Sequence, residues 1–169
     1  MRFAVFLLLI LTQACACSSP DKIVLDERWR PLERLERSSE LEDGVYWTLV
    51  PVVHTKDMCD FLRRSIVDQN GILVHERIHA VRQLATPNGP QQYLYFYATD
   101  PVFRLGEERL AWDAQIAYVI QHGGTVDASY VATFMSTRYL ANDGKTPLWS
   151  YDEALRWVNS VVTKAKGGH

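Results

Sequence analysis

The run His75-Glu76-Arg77-Ile78-His79 sets two imidazoles four residues apart, with a carboxylate beside the first. On a helix, residues at that spacing project from one face, one turn apart. Both rings can then reach a single zinc ion, which takes imidazole nitrogens at about 2.0–2.1 Å. The residue after the first histidine points to the side of that face. A glutamate there reaches a metal-bound water without binding the metal itself. Ile72, Leu73, Val74 and Ile78 make the surrounding helix apolar enough to be buried. Burial strengthens the polarising field of an ion and limits stray hydration.

A hydrolytic zinc site needs a third protein ligand and an open fourth position. The stretch Arg104-Leu105-Gly106-Glu107-Glu108-Arg109-Leu110-Ala111-Trp112 offers two acidic candidates, Glu107 and Glu108. His75-Glu76-x-x-His79-x-x-Arg82-Gln83, followed by Glu108-x-x-Ala111, resembles a gluzincin-type zinc metallopeptidase. It is most similar to small bacterial proteins with a His-Glu-x-x-His-x-x-x-Gln helix. The resemblance spans roughly residues 70–123. In such families the third ligand is a glutamate on the following helix, commonly three residues before an alanine. That register implies Glu108, with Glu107 as the alternative. It also implies Zn2+ as cofactor and a peptide or protein as substrate. Glu76 would take a proton from the zinc-bound water and deliver it to the leaving amine.

Other polar residues take lesser parts. Tyr130, Arg138 and Tyr139 are candidates for a second oxyanion donor, and Asp113 for a carboxylate orienting a ligand histidine. Arg82 and Gln83 read as structural support, bonded to backbone or to acidic residues. His54, His122 and His169 are not expected to be ligands.

The elements that must position these groups are mainly helical. Val45 to Val53 is β-branched and aromatic, and reads as one strand that Pro51 confines to an edge. Met58 to Ile66 has weak helical spacing. Asp68-Gln69-Asn70-Gly71 reads as a break, followed by a helix from about Ile72 to Ala85. The aromatic run Gln91 to Thr99 fits either a strand or a helix. Asp100-Pro101 opens a helix that runs to about Gln121 and stops at Gly123-Gly124. A helix follows from about Asp127 to Leu140. Ser150-Tyr151-Asp152-Glu153 is a capping box for a last helix to about Lys164. The expected fold class is α+β, predominantly α, with a zincin-like helical core and a small strand region.

The N-terminus has another texture. Phe3 to Leu11 is apolar and too short to span a bilayer, with the length of a signal-peptide core. Ala14-Cys15-Ala16-Cys17 follows, resembling a bacterial lipoprotein signal with Cys15 as the lipidated residue and Cys17 as the alternative. The chain is thus expected to be exported to the cell envelope and membrane-anchored by lipid. Ordinary secretion is the other reading, since Ala14-Cys15-Ala16 also fits a soluble-export cleavage site. Residues 1–15 are then the signal, 16–43 a polar tether or surface helix interrupted at Pro31, and 44–169 the metallopeptidase domain. At Cys59 a buried free thiol is expected, with a Cys17–Cys59 bridge as the alternative.

Composition narrows the remaining choices. The 169 residues are 47% hydrophobic and 22% charged, which suits a single folded domain. A formal charge of −2 offers no basic surface for nucleic acid. Two further readings stand beside the peptidase. One is a non-catalytic zinc-binding or structural lipoprotein of the cell envelope. The other is an interaction protein whose motif is coincidental, which would bind no zinc.

Overall fold

The structure is a computed structural model that describes residues 20–42 and 45–167. A four-stranded sheet is followed by six helices, so the fold is α+β and predominantly α. The strands are β1 (Lys22–Val24), β2 (Arg34–Arg37), β3 (Tyr46–Leu49) and β4 (Val52–Thr55). The helices are α1 (Met58–Arg63), α2 (Ile66–Ala85), α3 (Pro90–Thr99), α4 (Pro101–Gln121), α5 (Ala128–Arg138) and α6 (Tyr151–Gly167).

The sheet runs β1-β2-β4-β3, with β2 and β4 parallel and both outer pairs antiparallel. Alternation decides its inner face. Leu35, Val53, Thr48 and Thr55 are buried, while Trp47 and Leu49 are exposed. The described part of the 16–43 segment expected as a tether, residues 20–42, is instead folded into the domain. It carries β1, a short 3-10 turn at Glu27–Trp29 and β2, and buries Trp29, Leu32 and Leu35 in the core. Charged residues on both sides of Leu35 hid that strand, because only one of its side chains is fully buried.

The single strand expected over Val45 to Val53 is two. Val50 and Pro51 make the turn of a β3–β4 hairpin, and β4 lies inside the sheet. Pro51 thus avoids the ladder by sitting in the turn, where its missing N–H costs nothing. Cys59 is disulfide-bonded and only half-buried, so the free buried thiol is corrected. The Cys17–Cys59 pairing lies outside the described residues, as do the signal and lipidation readings at Cys15 and Cys17. Among the described residues no helix is long and apolar enough to cross a membrane.

The expected break at Asp68 to Gly71 is also absent. Helix α2 starts at Ile66, and Ser65 caps it by accepting from the Asp68 amide. Gly71 lies inside the helix for a steric reason. A Cβ there would stand 2.8 Å from Val119 Cγ2 on α4. The two helices cross at this close approach. Asn70 Nδ2 donates to Tyr118 Oη at 3.1 Å beside it. Asp100 caps α4 through the Val102 and Phe103 amides, and Pro101 fits the first turn. Glu153 and Ser150 form the reciprocal box that opens α6.

Two apolar clusters result. One joins the sheet, α1 and the α2 face beneath it. The other joins α4, α5 and α6. The α2–α4 crossing is the seam between them.

Gly71→Ala tests that crossing. Helix propensity favours the alanine by about 1 kcal/mol, but overpacking a well-filled contact costs about 1–3 kcal/mol. Val119 is β-branched and cannot swing its methyl aside freely. Chemical denaturation should show a net loss of about 1 kcal/mol. A double-mutant cycle with Val119→Ala should show coupling above about 0.5 kcal/mol. Additive effects would mean the helices do not meet there.

Candidate metal centre

Helix α2 carries His75, Glu76 and His79 on its buried side, and α4 presents Glu108 across the crossing. His75, His79 and Glu108 are all buried, and one ligand atom from each lies within 4.8 Å of the others. His75 Nε2 and His79 Nε2 are 3.2 Å apart. Glu108 Oε2 is 3.5 Å from His75 Nε2, and Oε1 is 3.3 Å from His79 Nε2. Tetrahedral ligands at about 2.0–2.2 Å from one ion stand about 3.3–3.6 Å from each other. The separations are of that size, with the two Glu108 oxygens facing one imidazole each. Two imidazole nitrogens and one carboxylate are also a suitable donor set for zinc. A metal ion therefore fits these residues.

The adjacent carboxylate does different work. Glu107 accepts from Arg82 Nη2 at 2.6 Å and from Arg82 Nε at 2.9 Å. It also accepts from the Tyr93 hydroxyl at 3.3 Å. Neighbours on a helix point about 100° apart, so one glutamate meets Arg82 while the next meets the histidines. Buried carboxylates need partners of this kind, because leaving a charge unpaired is costly.

Tyr93 links the two arrangements. Its hydroxyl lies 3.0 Å from His79 Nδ1 and donates to Glu107, so it accepts from His79 Nδ1–H. That bond leaves the Nε2 lone pair facing the centre, as outer partners of metal-binding histidines do. His75 has no such partner: its Nδ1 is buried without a hydrogen bond. Trp112 instead stands edge-on to the His75 ring, with centroids 5.2 Å apart.

Glu108 also accepts hydroxyl bonds from Tyr97 and Tyr139. Trp112 Nε1 donates to the Tyr139 oxygen at 3.0 Å. Burial acts to raise the Glu108 carboxyl, but the charge and hydrogen bonds of His79 and His75 outweigh it and hold the group well below the usual range. Burial likewise acts to lower His79, and the Glu108 carboxylate overcomes this to raise it. Burial and the same carboxylate push the Tyr97 and Tyr139 phenols well above their ordinary value. Both tyrosines therefore remain O–H donors.

Glu76 is buried beside the first histidine, and its Oε2 accepts from the Thr48 hydroxyl at 2.8 Å. Gln83 fastens the strand that carries Thr48. It donates to the Thr48 carbonyl at 2.7 Å and accepts from the Val50 amide at 3.1 Å. The centre opens into a cleft of about 830 Å³, lined by β3 on one side and by α4 and α5 on the other.

Compared with models of known protein families, with curated proteins and with solved structures, the chain matches none. The geometry therefore carries the functional reading alone.

Most of the expected residues converge. Of the three proposed second donors, Tyr139 reaches the centre, while Tyr130 and Arg138 line the cleft without a bond to it. Asp113 does not orient a ligand histidine. It borders a separate groove with Arg82, Glu107 and Arg109, and Tyr93 makes the bond assigned to it. His54 pairs with Trp47 on the outer sheet face, and His122 stacks on Tyr118 at the end of α4. His169 lies outside the described residues. Thr48, Tyr93, Tyr97 and Trp112 were not foreseen. Tyr93 and Tyr97 are four apart on α3, a helical spacing that reads equally well as core.

Metal binding discriminates between the acidic neighbours. Purified protein should hold near one zinc per chain. Glu108→Ala should lose it, Glu107→Ala should keep it at reduced affinity, and Tyr93→Phe should weaken it about 10- to 100-fold. Zinc loss in Glu107→Ala together with unchanged uptake in Glu108→Ala would reverse the assignment.

Protons compete for the same nitrogens. His79 must be neutral to bind metal, and Glu108 raises its pKa above 6.5 in the metal-free protein. Zinc uptake should thus release a proton at pH values below that raised pKa. Affinity there should fall up to about tenfold for each pH unit of acidification. Calorimetry in buffers of different ionisation enthalpy measures that release. A pH-independent affinity with no proton release would contradict the ion pair.

Proposed function

We propose that the chain is a zinc-dependent peptidase of gluzincin type, with His75, His79 and Glu108 as ligands and Glu76 as the general base. The observation that carries this reading is the meeting of His75, His79 and Glu108, with one ligand atom of each within 4.8 Å of the others, beside a buried Glu76 on the helix that carries both histidines. Zinc, when bound, would polarise a carbonyl oxygen and lower the pKa of a water.

The remaining chemistry belongs to this chain. Glu76 Oε2 accepts one hydrogen bond, from the Thr48 hydroxyl. As water oxygen bonds to the peptide carbonyl carbon, Glu76 takes its proton. It returns that proton to the amide nitrogen as the C–N bond breaks, freeing an amine and a carboxylate. Tyr139 keeps its phenolic proton, donates a hydrogen bond to the Glu108 carboxylate and so holds that ligand in place.

An extended peptide suits the cleft. β3 is an edge strand of the sheet, borders the cleft and is clamped to α2 through Gln83. An edge strand offers a second extended chain its unpaired backbone groups, here those other than the Thr48 carbonyl and Val50 amide that Gln83 holds. Export and lipid anchoring belong to the same reading. The disulfide at Cys59 supports an oxidising compartment.

Glu76→Gln should retain near one zinc per chain and lose about 10²- to 10⁴-fold in kcat on a quenched peptide library. Zinc uptake by the wild type with no cleavage of any peptide would leave only the non-catalytic zinc-binding reading. For export, intact-mass analysis of membrane-extracted protein should find a diacylglycerol-sized shift on Cys15 or Cys17. Cleavage without that shift would indicate a soluble exported protein.

A further inference from the structure

Three arginines line the cleft: Arg64, Arg104 and Arg138. Two are held by their own surroundings. Arg64 forks onto Asp60, four residues away, with bonds of 2.9 and 2.6 Å. Arg104 donates to the backbone carbonyls of Tyr97 and Leu140. Those partners lie close along the chain or are fixed backbone, so neither guanidinium is readily released.

Arg138 differs. Its hydrogen-bond partner is the Glu42 carboxylate, 96 residues away in the chain. Arg138 is 44% exposed and Glu42 70%, so water screens the pair and little energy holds it. The guanidinium also lies over the Phe134 ring, with its carbon 6.0 Å from the centroid. A contact with the ring face does not use up the N–H groups, which stay available to a carboxylate. Arg138 directly precedes Tyr139, whose hydroxyl bonds Glu108. A carboxylate on Arg138 therefore sits in the same cleft as the histidines.

We infer that Arg138 is a receptor for the free C-terminal carboxylate of a bound peptide, and that Glu42 occupies its place when no peptide is present. This assignment rests on the peptidase reading for its substrate, and it names the class: peptides ending in a free carboxylate within the cleft. Binding exchanges one carboxylate for another on Arg138 and releases Glu42 to solvent. The guanidinium fork suits either carboxylate, and an amidated end would lack the charge.

The test measures binding separately from turnover. N-acetylated alanine tripeptides, as free acid and as amide, are titrated into zinc-loaded Glu76→Gln protein by calorimetry. The free acid should bind about tenfold more tightly than the amide. Adding Arg138→Gln should bring the acid to the affinity of the amide, with amide binding unchanged as the check on folding. Adding Glu42→Gln should tighten the acid several-fold by removing the internal competitor. Equal affinity of acid and amide in the parent protein would overturn the assignment. So would absence of binding by both peptides, or a preference for the acid that survives Arg138→Gln. Hydrolysis by the wild type is followed in parallel. A preference for the acid without hydrolysis would remove the peptidase reading alone.

Discussion

A buried carboxylate facing two buried imidazoles is the constraint around which the rest of the structure is arranged. Glu108 gives up its hydration on entering the α2–α4 seam, a loss of several kcal/mol unless partners replace the water. His75, His79, Tyr97 and Tyr139 are those partners. They come from α2, α3 and the end of α5, so satisfying one carboxylate draws three helices onto a fourth. The close crossing at Gly71 and Val119 lets α2 and α4 approach within reach of that cluster. A bulkier residue at the crossing would separate the ligands as well as the helices.

How much of this was legible depended on how local each signal was. Caps and turns are short-range chemistry, and they placed α4 from Asp100-Pro101 and α6 from Ser150 to Glu153 correctly. The motif helix was legible from its histidine spacing, but its start was not. Asp68 to Gly71 has the composition of a loop, and only the tertiary crossing explains why the chain remains helical there. β2 was missed for a related reason. Its only buried residue, Leu35, lies among charged residues, and besides its antiparallel pair with β1 it joins the sheet through a parallel ladder to a strand some way along the chain. No local period records such a pairing. The orienting role of Tyr93 also escaped notice. It follows from a contact between α3 and α2, whereas a tyrosine in an aromatic run looks like core.

The sheet serves the centre from outside the ligand set. Gln83 treats β3 as a strand would, donating to one backbone carbonyl and accepting from a nearby backbone amide. This fixes the distance between β3 and α2, and with it the Thr48 hydroxyl on Glu76. The general base proposed at Glu76 would have to be both held and releasable. A single neutral hydroxyl bond meets that need better than an ion pair, because charge-assisted bonds are about twice as strong. Glu107 is held in the opposite manner, by an arginine fork and a phenol. Its carboxylate is committed to structure.

That contrast explains why two adjacent glutamates cannot exchange duties. Their carboxyls are chemically the same, and the helix simply aims them about 100° apart. What differs is the cation each one meets. Arg82 cannot surrender its charge at any ordinary pH, so the cation that Glu107 meets is a fixed one. The imidazoles facing Glu108 can lose their protons, which leaves a net negative donor set with nitrogen lone pairs pointing inward. A divalent cation balances that set, whereas it would compete with a fixed positive charge at Glu107. The selection of Glu108 thus lies in the titratability of its neighbours. The role of Tyr93 follows from the same difference. It couples His79 to the Arg82–Glu107 ion pair, so the orientation of the candidate ligand ring is tied to a part of the fold outside the ligand set.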